Sequence, residues 1–242
     1  MKIKYHSLSD KGKVREINED YYGYLMQNGI SSFIVCDGMG GHNAGEIASK
    51  LAVESIINTI KENINGIVSP VKLLENSIHN ANFEVLSYSL KEERFNGMGT
   101  TCVILLIQEN RAFLANVGDS RIYMIRENNI KQISKDQSLV QKLIDENIIN
   151  EEEAINHPRK NEILEAIGIR EKIHPILNNG FDISKGDIFL LCTDGLTEYA
   201  DEEFILETVI NNSIEAASKK LIEFANRGGG KDNITVQIIE IY

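Results

Sequence analysis

An α+β fold organised on antiparallel sheet is the class predicted by this 242-residue sequence. Two observations carry that prediction. Between residues 97 and 132 apolar runs are joined by short turns, so successive strands pair as hairpins, unlike the βαβ alternation of a nucleotide-binding fold. Elsewhere, long polar stretches carry apolar residues at helical spacing, as amphipathic helices do when packed on a sheet.

Taken in order, residues 1–10 read as a first strand. A charged stretch from Lys11 to Asp20 follows, then a second strand from Tyr21 to Leu25. The central strand, Phe33 to Asp37, is a continuous apolar run that stops on Asp37-Gly38-Met39-Gly40-Gly41-His42. A helix over about 44–62 places Ile47, Ala48, Leu51, Ala52, Ile56 and Ile60 on one face, with Asn43 and Glu46 spaced as a capping pair. A second helix begins at Pro70, a residue suited to the first helical position, and extends to about Glu93. Cys102–Ile107 and Arg111–Val117 form a hairpin, and Ile122–Arg126 turns at Glu127-Asn128-Asn129 into a fourth strand. From Asp136 to about Ala166 the pattern is helical and polar, and Asn156-His157-Pro158 breaks it. A flap over about 140–180 is one reading of that region; a surface insertion is the other. The strand Asp187–Thr193 runs into Asp194-Gly195, two helices occupy roughly 201–210 and 213–226, and Ile234–Ile241 is the last strand. The whole chain, 1–242, reads as a single domain.

Composition narrows the function classes. Hydrophobic residues make up 42% and charged residues 25%, a globular balance, and the net charge is −11. Such an acidic chain, with a pI of about 5.0, argues against nucleic-acid and anionic-membrane partners, which are gripped by basic patches. It suits a cationic cofactor. No apolar run is long enough to cross a bilayer, and the N-terminus has no signal-peptide pattern. Cys36, Cys102 and Cys192 lie in apolar strands without paired spacing, so they are expected to be reduced core thiols in a cytoplasmic protein.

The chemistry lies in aspartates at the ends of apolar runs. Cys36-Asp37-Gly38 and Cys192-Thr193-Asp194-Gly195 repeat one signature, Asp232 follows a glycine run at a strand entrance, and Asp119 stands at a hairpin end. Each alone is more commonly a turn residue. Brought to one rim they would repel, and a divalent cation with a preference for oxygen ligands would neutralise them. Arg15, close before Glu19 and Asp20, has the fork geometry that suits a phosphate or carboxylate. Other phosphate chemistries fail on spacing. A Cys-x5-Arg loop would need arginine where His42, Gln108 and Glu198 stand, no Asp-x-Asp occurs, and there is no Gly-x4-Gly-Lys-Ser/Thr loop. The five scattered histidines disfavour zinc.

The ordered set Arg15…Asn18-Glu19-Asp20, Asp37-Gly38-Met39-Gly40-Gly41-His42, Gly97-Met98-Gly99-Thr100-Thr101, Val117-Gly118-Asp119-Ser120-Arg121, Thr193-Asp194-Gly195-Leu196-Thr197 and Asp232-Asn233-Ile234-Thr235 resembles the metal-dependent Ser/Thr protein phosphatases of type 2C, the PPM family, in their compact bacterial branch. The resemblance spans nearly the whole chain. It implies an α-β-β-α sandwich of two antiparallel sheets flanked by helices, with the metal centre at one edge. It also implies two Mn²⁺ or Mg²⁺ ions with a position for a third. Asp37 would bridge the two ions, the Gly38 carbonyl would ligate one of them, and Asp194 with Asp232 would complete the shell of the other. Asp20, with Glu19, would hold metal-bound water, Asp119 with Asp194 matches the third-metal position, and Arg15 would bind the substrate phosphate. The implied reaction is in-line attack on phosphoserine or phosphothreonine by a hydroxide bridging the metals, with no covalent enzyme intermediate.

Two positions depart from the family pattern. Met39 stands where some members place a histidine as general acid, which leaves the acid unassigned. Asp136-Gln137-Ser138 has glutamine where histidine is common. The expected partners are phosphorylated proteins, with a Ser/Thr kinase as the opposing enzyme and no nucleic acid or membrane. The chain is expected to act as a monomer. The rival reading is a catalytically dead relative that binds phosphoproteins, and the presence of Asp37, Asp194 and Asp232 weighs against it.

Overall fold

Both faces of the central strands are apolar because each sheet is covered twice. The computed structural model describes residues 1–40, 44–64 and 68–242. Its strands are β1 (Ile3–Asp10), β2 (Asp20–Gln27), β3 (Ile30–Met39), β4 (Gly99–Thr100), β5 (Cys102–Gln108), β6 (Arg111–Val117), β7 (Arg121–Arg126), β8 (Asn129–Gln132), β9 (Ile176–Leu177), β10 (Phe181–Asp182), β11 (Ile188–Cys192) and β12 (Ile234–Ile241). Its helices are α1 (Gly45–Asn63), α2 (Pro70–Ser89), α3 (Leu139–Asp145), α4 (Glu151–Ile155), α5 (Asp194–Thr197), α6 (Glu202–Ile210) and α7 (Ile214–Gly228).

The strands form two antiparallel sheets. One has the order β1-β12-β11-β7-β8; the other has the order β10-β6-β5-β3-β2, with β4 on β3 and β9 on β6. Phe33, Val35, Val103, Leu105, Phe189, Leu191 and Ile239 point between the sheets. Their chain neighbours Ile34, Cys36, Ile104 and Leu106 point the other way, onto α1 and α2. On the far side Leu190, Cys192, Val236 and Ile238 pack with Ile205, Ala217 and Leu221 of α6 and α7. The alternation of period two therefore separates three apolar layers. This is the α-β-β-α sandwich the resemblance implies.

Local signals explain the helix starts. Ser69 accepts a bond from the Lys72 amide and Pro70 occupies the first turn of α2. Asn150 and Glu153 make a reciprocal capping box on α4, and Asp201 and Ser213 cap α6 and α7. The expected cap of α1, Asn43, lies outside the described residues, as do Gly41 and His42.

Several expectations need adjustment. The two hairpins do not share a sheet: β5 pairs β6 in one, and β7 pairs β8 in the other. The chain crosses between the layers at Gly118-Asp119-Ser120, because β7 finds its other partner in β11, which is remote in sequence. Helix α2 stops at Ser89, and a single 3₁₀ turn follows at Glu93–Phe95. Strand β3 continues two residues past Asp37, where Gly38 and Met39 pair with Thr100 and Gly99. The polar stretch from 136 to 166 holds two short helices and turns, and β9 and β10 beyond it pair with β6. All three cysteines are free and buried, as expected.

Candidate metal centre

Asp37 is held by its backbone. Its amide donates to Thr101 Oγ1 at 3.0 Å, and its carbonyl accepts from the Thr101 amide at 2.9 Å and from Thr100 Oγ1 at 2.8 Å. Thr101 Oγ1 also meets Ser120 Oγ at 2.7 Å, which ties the residue between β4 and β5 to the turn carrying Asp119. The Asp37 carboxylate, by contrast, accepts no bond from any of these hydroxyls and is left for other work.

Asp20 lies opposite Asp37 in the β2–β3 register and is 6% exposed. Its Oδ2 accepts from Thr193 Oγ1 at 2.9 Å and Thr235 Oγ1 at 2.7 Å. Because Thr235 gives its one proton to Asp20, Ser9 Oγ, 2.7 Å away, must donate to Thr235; Asn18 Nδ2 in turn donates to Ser9. A hydrogen-bond chain thus runs from the β1–β2 loop through one sheet to a carboxylate of the other, and such chains hold their acceptor in place.

Asp194 and Asp232 are brought together by backbone contact. A Cβ on Gly195 would lie 2.0 Å from the Asn233 carbonyl oxygen, so only glycine lets the start of α5 press on the turn before β12. Gly38 is constrained in the same way: its Cβ would lie 2.1 Å from the Gly45 carbonyl oxygen and 2.5 Å from that of Glu19. The glycine after each aspartate therefore serves backbone packing. Asn233, 3% exposed, donates to the carbonyls of Lys11 and Ile17 and accepts from the Glu19 amide. It docks the whole 11–19 loop beside Asp232. Arg15, on that loop, reaches Asp232 Oδ2 at 2.8 Å and Glu19 Oε2 at 3.8 Å.

Electrostatics mark these carboxylates as one group. Burial, followed by the charges of Asp20, Asp194, Asp119 and Asp232, pushes Asp37 well above the ordinary carboxylate range. Burial pushes Asp20 up to about 7, against the two threonine bonds and with help from Asp194 and Asp232. Asp119 also rises to about 7, through burial and then the charges of Asp194 and Asp136. Asp194 is raised by burial and by Asp232, while its bond to Asp37 pulls the other way. Among the described residues, no three His, Cys, Asp or Glu side chains close into a finished metal cage. The aspartates approach near enough to feel one another without closing.

That arrangement fits a hard divalent cation. Asp20 Oδ1 and Asp194 Oδ1 are buried oxygens with no hydrogen-bond partner, and the cluster offers only oxygen donors. The structure thus gathers Asp20, Asp37, Asp119, Asp194, Asp232, Gly38 and Arg15, all named from sequence. The positioning roles of Thr101, Ser120, Thr193, Thr235 and Asn233 were not legible, although Ser120, Thr193 and Asn233 each adjoin a named aspartate and Thr235 lies three residues from one. Ser9 and Thr235 belong to different ends of the chain, and only pairing of β1 with β12 joins them.

Known proteins resemble this chain over nearly its whole length. The Protein phosphatase 2C family model matches residues 12–226. The serine/threonine phosphatase stp of Listeria monocytogenes is 36% identical over 237 residues, covering 96% of this chain and 93% of the relative. The crystal structure of the serine/threonine phosphatase PstP/Ppp of Mycobacterium tuberculosis superposes with a TM-score of 0.89 at 35% identity, over 99% of this chain and 98% of that one. A structure of the PstP catalytic domain in complex with two manganese ions superposes with a TM-score of 0.83 at 34% identity, over 98% of this chain and 97% of that one. Sequence, fold and the ordered aspartates agree, and the chain belongs to the protein phosphatase 2C family.

Proposed function

We propose that the chain is a metal-dependent protein-serine/threonine phosphatase that hydrolyses phosphoserine and phosphothreonine in proteins. The observation that carries the reading is the convergence of five aspartates with Arg15 at one end of the sandwich, in a chain of this family. Two Mn²⁺ or Mg²⁺ ions, when bound, would supply a nucleophilic oxygen near neutral pH and charge neutralisation at phosphorus. Asp37 would contribute to both ions, the Gly38 carbonyl to one, and Asp194 and Asp232 to the other. Asp20 and Glu19 would orient water around them, and Asp119 with Asp194 would serve a third ion. Arg15 would turn from Asp232 to the substrate phosphate and fix it for displacement. Met39 cannot donate a proton, so the leaving oxygen takes its proton from another source.

In this reading the substrates are phosphorylated proteins, supplied by a Ser/Thr kinase that the enzyme opposes. The protein acts as a cytoplasmic monomer, without nucleic-acid or membrane partners. The 1–242 domain carries residues 140–180 as a flap beside the site. No described helix is long and apolar enough to cross a membrane.

The test is hydrolysis of a phosphothreonine peptide with Mn²⁺, with EDTA, and by Asp194→Asn in Mn²⁺. Activity is expected in the first case, with a loss of at least about 100-fold in the other two. A folded wild type that stays inactive across Mn²⁺ and Mg²⁺ concentrations would overturn the reading in favour of a phosphoprotein-binding relative.

A further inference from the structure

A cavity of about 660 Å³ opens directly from the reactive end of the sandwich. Asp119 and Asp194 line it together with residues of α3 and α4, Lys160 and the start of α6. It is roomy enough for a long side chain, and it shares Asp119 and Asp194 with the aspartate cluster at which a phosphorylated residue would react.

Charge decides what it takes. Both cations in its lining are already committed to carboxylates: Arg121 to Asp136 at 2.7 Å and Lys160 to Glu198 at 3.4 Å. Glu151, the first residue of α4, and Glu202, the first residue of α6, line the same cavity, and their carboxylates have no ion-pair partner among the described residues. Both residues are exposed. The lining also carries the apolar side chains of Val140, Ile144 and Ile155, the last 66% exposed. A long cationic side chain fits such a surface, since its methylenes lie on the apolar part while its head meets the carboxylates.

We propose that this cavity is a specificity subsite that receives a lysine or arginine of the substrate protein flanking the phosphorylated residue. The proposal rests on the phosphatase reading and deepens it. The subsite selects among phosphoproteins by charge: a basic flank is drawn in, and an acidic flank is repelled by Glu151 and Glu202. It acts on substrate capture, so the selection is expressed in KM more than in kcat.

The experiment compares two phosphothreonine peptides, identical except that arginine or glutamate flanks the phosphorylated residue on both sides. The expected ratio of kcat/KM, basic over acidic, is at least about fivefold for the wild type, carried by KM and shrinking as salt is raised. In the Glu151→Gln/Glu202→Gln double variant the ratio should approach one, and Glu202→Lys should push it below that of the double variant. A wild-type ratio near one, or a ratio the double variant leaves intact, overturns the proposal. Turnover of p-nitrophenyl phosphate by the wild type separates this from the broader reading. If that small substrate is hydrolysed while the peptide ratio is one, only the subsite fails. If folded wild type hydrolyses neither peptide nor small substrate, both readings fall together.

Discussion

Asp20 shows how a single residue is tuned by its surroundings. Two threonine hydroxyls stabilise its charge, but burial outweighs them and its proton is held up to about 7. Asp119 behaves likewise, and Asp37 is displaced in the same direction. For all three the folded pKa lies above the unfolded value of about 4. The native state therefore binds more protons than the unfolded state across that interval, so metal-free stability is highest on its acid side and is lost as pH rises through about 7. Thermal melts in EDTA should show a midpoint that falls between pH 5 and pH 8, with a shallower fall in Asp20→Asn. A midpoint that climbs over that range would show that other groups dominate. The sequence named Asp20 but did not reveal its partners, because Thr193 and Thr235 are separated from it by more than 170 positions.

At the scale of elements, the metal centre depends on backbone approach. The start of α5 meets the turn before β12 only because Gly195 lacks a side chain. Gly195→Ala places a methyl against a carbonyl oxygen that belongs to rigid backbone, so the two elements must separate. Overpacking of this kind costs about 1–3 kcal/mol. Urea unfolding should register that loss, accompanied by weaker Mn²⁺ binding as Asp194 moves from Asp232. Unchanged stability would mean that the α5 turn relaxes freely. Asp-Gly in sequence pointed to a strand-end ligand site, and Asp37 lies near the end of β3 while Asp194 directly follows β11. What pressed on the glycine was not legible, since Asn233 lies 38 positions on from Gly195 and arrives through β12.

Across the whole molecule, carboxylates from β2, β3, the β6–β7 crossing, α5 and the turn before β12 meet at one end of two sheets. Their mutual repulsion opposes folding, and a divalent cation held among them would offset it in the folded state alone. Binding to the native state alone stabilises it by about 2.7 kcal/mol at a free concentration 100 times the dissociation constant. For a chain of this length that corresponds to a rise of roughly 5–10 °C in Tm. Calorimetric melts with Mn²⁺ and with EDTA should differ by about that much, and Asp37→Asn should abolish most of the difference. Equal melting in both conditions would refute a resident metal centre.

Much of this protein was legible in its sequence. Continuous apolar runs bounded by turn residues located the central strands, among them β3, β5 and β12, because a strand buried on both faces needs little more than that pattern. The stripes of α1 and α2 and the proline at the head of α2 are equally local signals. The aspartates stood out because a charged residue ending an apolar run is conspicuous wherever it falls. Which layer each strand joins was decided elsewhere. The β5–β6 and β7–β8 hairpins look alike in sequence, yet the chain sends them into opposite sheets, since β7 pairs with β11 and β5 with β3. The same long-range pairing joins Ser9, Thr235 and Asp20 and closes the 11–19 loop onto Asn233. Residue type and spacing determine what an element is, because its own hydrogen bonds and side-chain period are local. Its neighbours are set by the packing of three apolar layers at once, and only the tertiary structure decides that.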